Sequence, residues 1–288
     1  MGSVVAVMNT KGGVGKSTLV MALAETLSVY HSKMVLVIDS DAQSSLGHML
    51  AGTPTLIAKQ QEERSLVGFL IAKVLHNQAV SWRQYIANGV SDVDDARSVC
   101  LIPSDPEVTL FEREISRERA EERLRDVVSE LLTDLRRTFE VILIDCPPGL
   151  SVLTECWLRE ADFHVSPTKP DFLSVSGLQF FKQFKDRNPE LTFARNLGVV
   201  INMKDDSPSD WEFARWLASE PENNCFKTMI PRSNSMLSAS LFKPGQRSYL
   251  AKYPGECGRA FRQLADELLA RLAAQGQSEQ KQFAHSAA

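Results

Sequence analysis

Residues 3–9, SVVAVMN, form a short, β-branched apolar run, and TKGGVGKST (10–18) follows directly. Residues 17–30 then suit a helix. A buried strand that turns through glycines straight into a helix confines the chain to an α/β architecture. Glycines at 12, 13 and 15 let backbone N–H groups curl around an anion. The helix start near Ser17 aims its positive end at the same place. Gly15, Lys16 and Ser17 fit the end of the phosphate-binding spacing G-x-x-x-x-G-K-[ST], with Thr10 at its first glycine position. Lys16 is expected to reach the β- and γ-phosphates of a nucleotide, and the Ser17 hydroxyl to ligate Mg²⁺. One lysine suffices for that, so Lys11 needs another explanation.

Further apolar strands are expected at 34–41, 98–104, 139–148, 162–168, 196–203 and 225–231. Helices are expected at 116–137, 174–187, 208–219 and 258–274. The 116–137 stretch places Leu124, Val127, Val128, Leu131, Leu132 and Leu135 on one stripe of a charged helix. Apolar strands separated by helices predict a doubly wound, mostly parallel sheet covered on both faces, the P-loop NTPase class. One domain spanning 1–274 is expected. Residues 51–97 read as an embellishment on it, with WRQYI (82–86) in the core, and 275–288 as a polar, disordered tail. The five cysteines have no C-x-x-C pair and read as reduced core thiols of a cytoplasmic protein. No leader peptide and no membrane span is expected.

Two aspartate segments complete a nucleotide site. VILID ends in Asp145, a carboxylate at the C-terminal edge of a strand, where open α/β sheets bind ligands; it suits Mg²⁺, through water. VIDSDAQ delivers Asp39 and Asp41, which strand alternation points the same way. A carboxylate near the γ-phosphate can orient an attacking water.

On KGGVGKST, VIDSDAQSS and VILIDCPPGLS, with PTKPDFLSVSGLQFF (167–181) and MIPRSNSMLSAS (229–240), the chain resembles the ParA/MinD ATPases over nearly its whole length. The resemblance implies ATP and Mg²⁺ as cofactors and an ATP-dependent homodimer. It implies that Lys11 crosses to the partner's phosphates and that Asp41 supports hydrolysis. Gly12, Gly13, Val14, Gly15, Lys16, Ser17 and Thr18 then hold phosphate, and Ser17, Asp39 and Asp145 the metal. Asn202 and Pro231 take positions near the adenine. A bulky side chain at Gly13 is expected to block pairing. Ser40, Ala42 and the Ser238-Ala239 pair depart from the family pattern, so the activating partner does not follow from it. An iron–sulfur reductase, a two-halved arsenite pump ATPase and a tyrosine-tailed kinase each lack their own signature here. No operator-binding domain is expected ahead of Asn9, and operator-specific repression is not expected.

The net charge is −4, yet residues 223–262 carry seven basic residues against one acid, a net of +6. With the family resemblance, this stretch predicts non-specific DNA binding through Lys227, Lys243, Arg247, Lys252 and Arg259, used in DNA partition or cargo positioning at the nucleoid. The alternative is a protein-interaction switch that positions or regulates an enzyme or receptor complex without DNA. Membrane binding of the MinD type needs a basic amphipathic C-terminal helix, and after Leu272 the sequence offers only Lys281 and Phe283 for it.

Overall fold

The computed structural model describes the backbone of residues 1–286 and the side chains of residues 1–276. The strands are β1 (Ser3–Val7), β2 (Val35–Asp39), β3 (Ala87–Asn88), β4 (Val99–Ile102), β5 (Val141–Asp145), β6 (Phe163–Thr168) and β7 (Arg195–Ile201). They form one sheet in the order β3-β4-β2-β5-β1-β6-β7. Every pairing is parallel except the short edge pair β3–β4.

Alternation along the central strands accounts for the two helical layers. Val5, Val7, Val35, Val37, Val141 and Leu143 join one core with the Lys16–His31 and Gly255–Ser286 helices. Val4, Ala6, Leu36, Ile38, Ile142 and Ile144 join the other, with the Glu121–Leu135 and Val152–Glu160 helices. Because both faces of these strands are buried, they read in the sequence as continuous apolar runs.

Several expectations change. The 116–137 stretch is two helices, Val108–Glu118 and Glu121–Leu135, separated where Arg119 adopts φ +54. The expected stripe is intact on the second, with all six of its apolar residues buried. Residues 225–231 form no strand. They run beside β7, with Phe226 N–H donating to the Val199 carbonyl and Ile230 N–H to Ile201, and make only an isolated bridge at Pro231. The 51–97 region does contribute a strand, β3, too short to leave a period in the sequence. Trp82, Tyr85 and Ile86 lie in the core there. Helix Gly255–Ser286 continues through most of the segment expected to be a disordered tail; its Gln, Glu, Lys and Ala residues favour helix, and no proline stops it. Residues 287–288 lie outside the described residues. Among the described residues no helix is long and apolar enough to cross a membrane.

His164 on β6 is 3% exposed, edge-on to Phe181, and among the described residues neither ring nitrogen has a hydrogen-bond partner. Burial, helped by the nearby Lys185 charge, pushes its pKa down to about 3. The unfolded chain therefore takes up a proton near pH 6.5 that the folded chain refuses. This stabilising contribution is complete above that pH and is lost as pH falls, about 2 kcal/mol by pH 5. Thermal unfolding from pH 7 to 5 should show His164→Leu losing less stability than the unaltered protein by that amount. Parallel curves would mean that another group dominates the acid limb.

Candidate functional site

Strands β1, β2 and β5 end side by side, and the glycine loop lies over those ends. In the parallel register Val7 stands opposite Asp145, and Asp39 opposite Asp145 on the other side. Gly15 caps the Lys16–His31 helix with φ +84. A Cβ there would lie 2.6 Å from the Asn202 Nδ2 atom and 2.7 Å from the Met203 methyl, so only glycine lets the loop close on the end of β7. Asn202 returns the contact by donating from Nδ2 to the Val14 carbonyl at 2.8 Å. Gly12 and Gly13 are exposed, and a Cβ at Gly13 would meet nothing of this chain within 4 Å.

Lys16 is 7% exposed, and its Nζ donates to the carbonyls of Asn9 at 3.2 Å and Lys11 at 3.4 Å. Burial lowers its pKa; Asp145, Cys146 and Asp41 oppose that shift. Asp39 is fully buried and accepts from the N–H groups of Gly47 at 3.0 Å and Asp41 at 3.2 Å. Burial first, then the Asp145 charge, raises its pKa well above the carboxylate range. Asp145 is fully buried, and among the described residues neither carboxylate oxygen has a hydrogen-bond partner of good geometry. Burial pushes it up to about 7, partly offset by the Ser17 hydroxyl and Lys16. Two buried carboxylates, one of them unpaired, beside a serine hydroxyl are costly without a cation. They are the donor types that a hard divalent ion takes, so the chemistry of these side chains fits Mg²⁺.

Asp41 lies beyond the end of β2, so the alternation that was to align it with Asp39 does not reach it. Its Oδ1 accepts from Gln43 N–H at 3.0 Å, and its carbonyl from Ser44 N–H at 2.8 Å. The carboxylate is half-buried and close enough to raise the pKa of both Asp39 and Asp145. Lys11 is exposed. Next to the loop, Thr18, Asn202 and Pro231 line a cavity of about 380 Å³, with Met203, Arg232 and Met236. Its size and mixed lining suit a nucleobase.

Two supports of the loop were not anticipated. Asn9 Oδ1 accepts from Lys11 N–H at 2.9 Å while its Nδ2 donates to the Pro167 carbonyl at 3.0 Å. A Cβ at Gly177 would lie 2.5 Å from that same Oδ1, and Thr10 Oγ1 donates to the Gly177 carbonyl at 2.9 Å. The loop is thus braced by the Phe172–Arg187 helix, a contact between distant segments that no local pattern reveals.

The expected DNA surface is reduced. Lys252 is 1% exposed, and its Nζ lies 2.7 Å from both Glu25 and Asp92. Arg247 pairs with Asp92 at 2.8 Å and donates to the carbonyls of Ala239 and Leu241. Neither is free for phosphate: the acids that neutralise them come from far away in sequence. Lys227, Lys243 and Arg259 are exposed.

Residues 2–193 match a family model described as an AAA domain. A Pseudomonas putida protein described as uncharacterized is 30% identical over 277 residues, 94% of this chain and 96% of its own. The chromosome partitioning protein ParA of Caulobacter vibrioides is 28% identical over 275 residues, covering 93% and 94%. The crystal structure of cobyrinic acid a,c-diamide synthase from Mycobacterium smegmatis, with bound ATP analogue and magnesium, aligns with TM-score 0.72 at 23% identity, over 95% of this chain and 96% of that one. That last likeness is one of fold.

Proposed function

This chain belongs to the ParA/MinD family of P-loop ATPases, and from that premise we propose that it is an ATP-driven switch of the ParA type. In this reading it hydrolyses ATP slowly, pairs with a second copy in the ATP state, and binds DNA without sequence preference to serve partition or cargo positioning. The observation that carries the reading is the convergence of Lys16, Ser17, Asp39 and Asp145 at one sheet edge, with Asp41 beside them and Lys11 exposed on the loop.

Position supports one division of labour. The loop N–H groups from Gly12 to Thr18 and the helix start hold the phosphates. Lys16 neutralises charge on the β- and γ-phosphates. Ser17, Asp39 and Asp145 would hold Mg²⁺, and the ion would supply positive charge to the phosphates when bound. Asp41, the only half-exposed carboxylate of the set, orients the attacking water. Lys11, spared by its own site, serves the partner's phosphates as a finger residue does. Asn202, Pro231 and Thr18 seat the base. An activating protein is expected to accelerate hydrolysis.

A test is DNA binding by Asp41→Ala, which should hold ATP without hydrolysing it. Unrelated duplexes should bind with ATP and not with ADP, and binding should fade steeply with salt. Among the basic residues, Lys227→Glu, Lys243→Glu and Arg259→Glu should each weaken binding several-fold and flatten the salt slope. No binding at low salt by a protein that dimerises with ATP would sink the DNA half of the reading. The protein-interaction switch would then take its place. Loss of Arg247 and Lys252 from the basic surface favours that second reading, as do the exposed Leu237, Leu241 and Leu250 in the same segment.

A further inference from the structure

Ser40 separates the two aspartates of the switch segment. Its backbone N–H donates to the Asp145 carbonyl at 3.1 Å, the last link between β2 and β5. Its hydroxyl accepts from the indole Nε1 of Trp157 at 2.8 Å. Both residues are fully buried. Trp157 belongs to the Val152–Glu160 helix, which follows the loop after Asp145. Indole nitrogen is donor only, and a buried donor without a partner is costly. An apolar residue at position 40 would leave the indole unpaired, so serine and tryptophan belong together here.

We infer that the Ser40–Trp157 hydrogen bond positions Asp41 for hydrolysis, and so makes catalysis depend on the seating of the Val152–Glu160 helix. The inference rests on the ATPase reading above. Ser40 is the residue at which the chain leaves the sheet. It is held from two directions: its N–H by the end of β5, its hydroxyl by the helix beyond the next loop. Asp41 follows immediately; its N–H donates to Asp39 Oδ1 at 3.2 Å, and beyond it the turn to Gln43 and Ser44 holds it. The placement of its carboxylate therefore depends on Ser40, through which the chain passes from Asp39 to Asp41. Ser40 touches no reacting group and is a positioning residue. The two loops that flank the phosphate site, one after β2 and one after β5, are thereby joined away from the nucleotide as well as through it. A displacement of the Val152–Glu160 helix moves Asp41 without touching Lys16 or the base cavity.

The test measures single-turnover ATP hydrolysis, ATP affinity and the Trp157 indole NMR resonance, assigned with Trp157→Phe. Ser40→Ala should shift the indole resonance upfield and slow hydrolysis about tenfold, with ATP affinity within twofold of the unaltered protein. Ser40→Thr keeps the hydroxyl and should recover the rate to within about threefold. If Ser40→Ala shifts the resonance and lowers thermal stability while the rate holds, the contact is structural only and the inference fails. Equal losses in Ser40→Thr and Ser40→Ala would overturn it too. If the unaltered chain, with DNA present, hydrolyses no ATP, the ATPase reading itself falls and takes this inference with it.

Discussion

Lys16→Met should slow ATP hydrolysis by about 10²- to 10³-fold, the loss that follows removal of one preorganised charge from a transition state. Methionine keeps the length and apolar stem of lysine and deletes only the ammonium. In the structure that ammonium is held by two loop carbonyls, and burial already weakens its hold on the proton. Its removal relieves a desolvated cation but leaves Asp145 with less compensation. These opposing effects should keep the change in folding stability to about 1 kcal/mol. The signature is thus a large kinetic defect on a nearly unchanged melting curve, with ATP binding weakened as well. Hydrolysis within twofold of the unaltered protein would mean that Lys16 does not face the phosphates.

The opposite signature belongs to Lys252→Ala. Lys252, Glu25 and Asp92 are all at most 1% exposed. Glu25 also accepts from Ser91 at 2.7 Å and Tyr253 at 2.5 Å, and Asp92 from the Lys243 N–H at 2.8 Å. Deleting the ammonium leaves two buried carboxylates short of their shared cation, a loss of about 3–5 kcal/mol. For a chain of this size that is a fall in melting temperature of roughly 10 °C. Lys252→Met with Glu25→Gln should recover part of it, because the uncompensated charge goes with the partner while Arg247 still serves Asp92. Chemical denaturation gives the ΔG directly; a loss below about 1 kcal/mol would mean that water enters the network when the lysine goes. DNA affinity lost in Lys252→Ala would then trace to folding, since Lys252 faces no solvent.

This network also gives residues 51–97 their place. Val93 and Arg247 form a bridge between parallel segments, Asp94 N–H donates to the Arg247 carbonyl, and the Phe242 ring lies against Gly52. The region that reads as an embellishment is docked onto the 238–253 segment through buried charge. Nothing local announces it. Asp92 sits in a polar stretch, SDVDD, within the region read as an embellishment, and Lys252 in one read as a basic DNA-binding surface.

What the sequence determined by itself is what short-range physics controls. Apolar runs buried on both faces predict a parallel sheet between helix layers, and six of the seven expected strands form. A glycine turn between strand and helix marks the proposed phosphate cradle, and strand-ending Asp39 and Asp145 mark the buried carboxylates of the candidate site. These signals work because period, turn geometry and strand ends are properties of a few adjacent residues. The tertiary structure decided everything that depends on partners distant in the chain. It decided that Arg247 and Lys252 are neutralised inside, that Gly177 and Asn202 brace the loop, and that Asp41 lies past the end of its strand. It also decided that Ser40 answers to Trp157. A residue's charge is written in its type. Whether that charge faces solvent, a buried acid or a phosphate depends on which segments the sheet brings together.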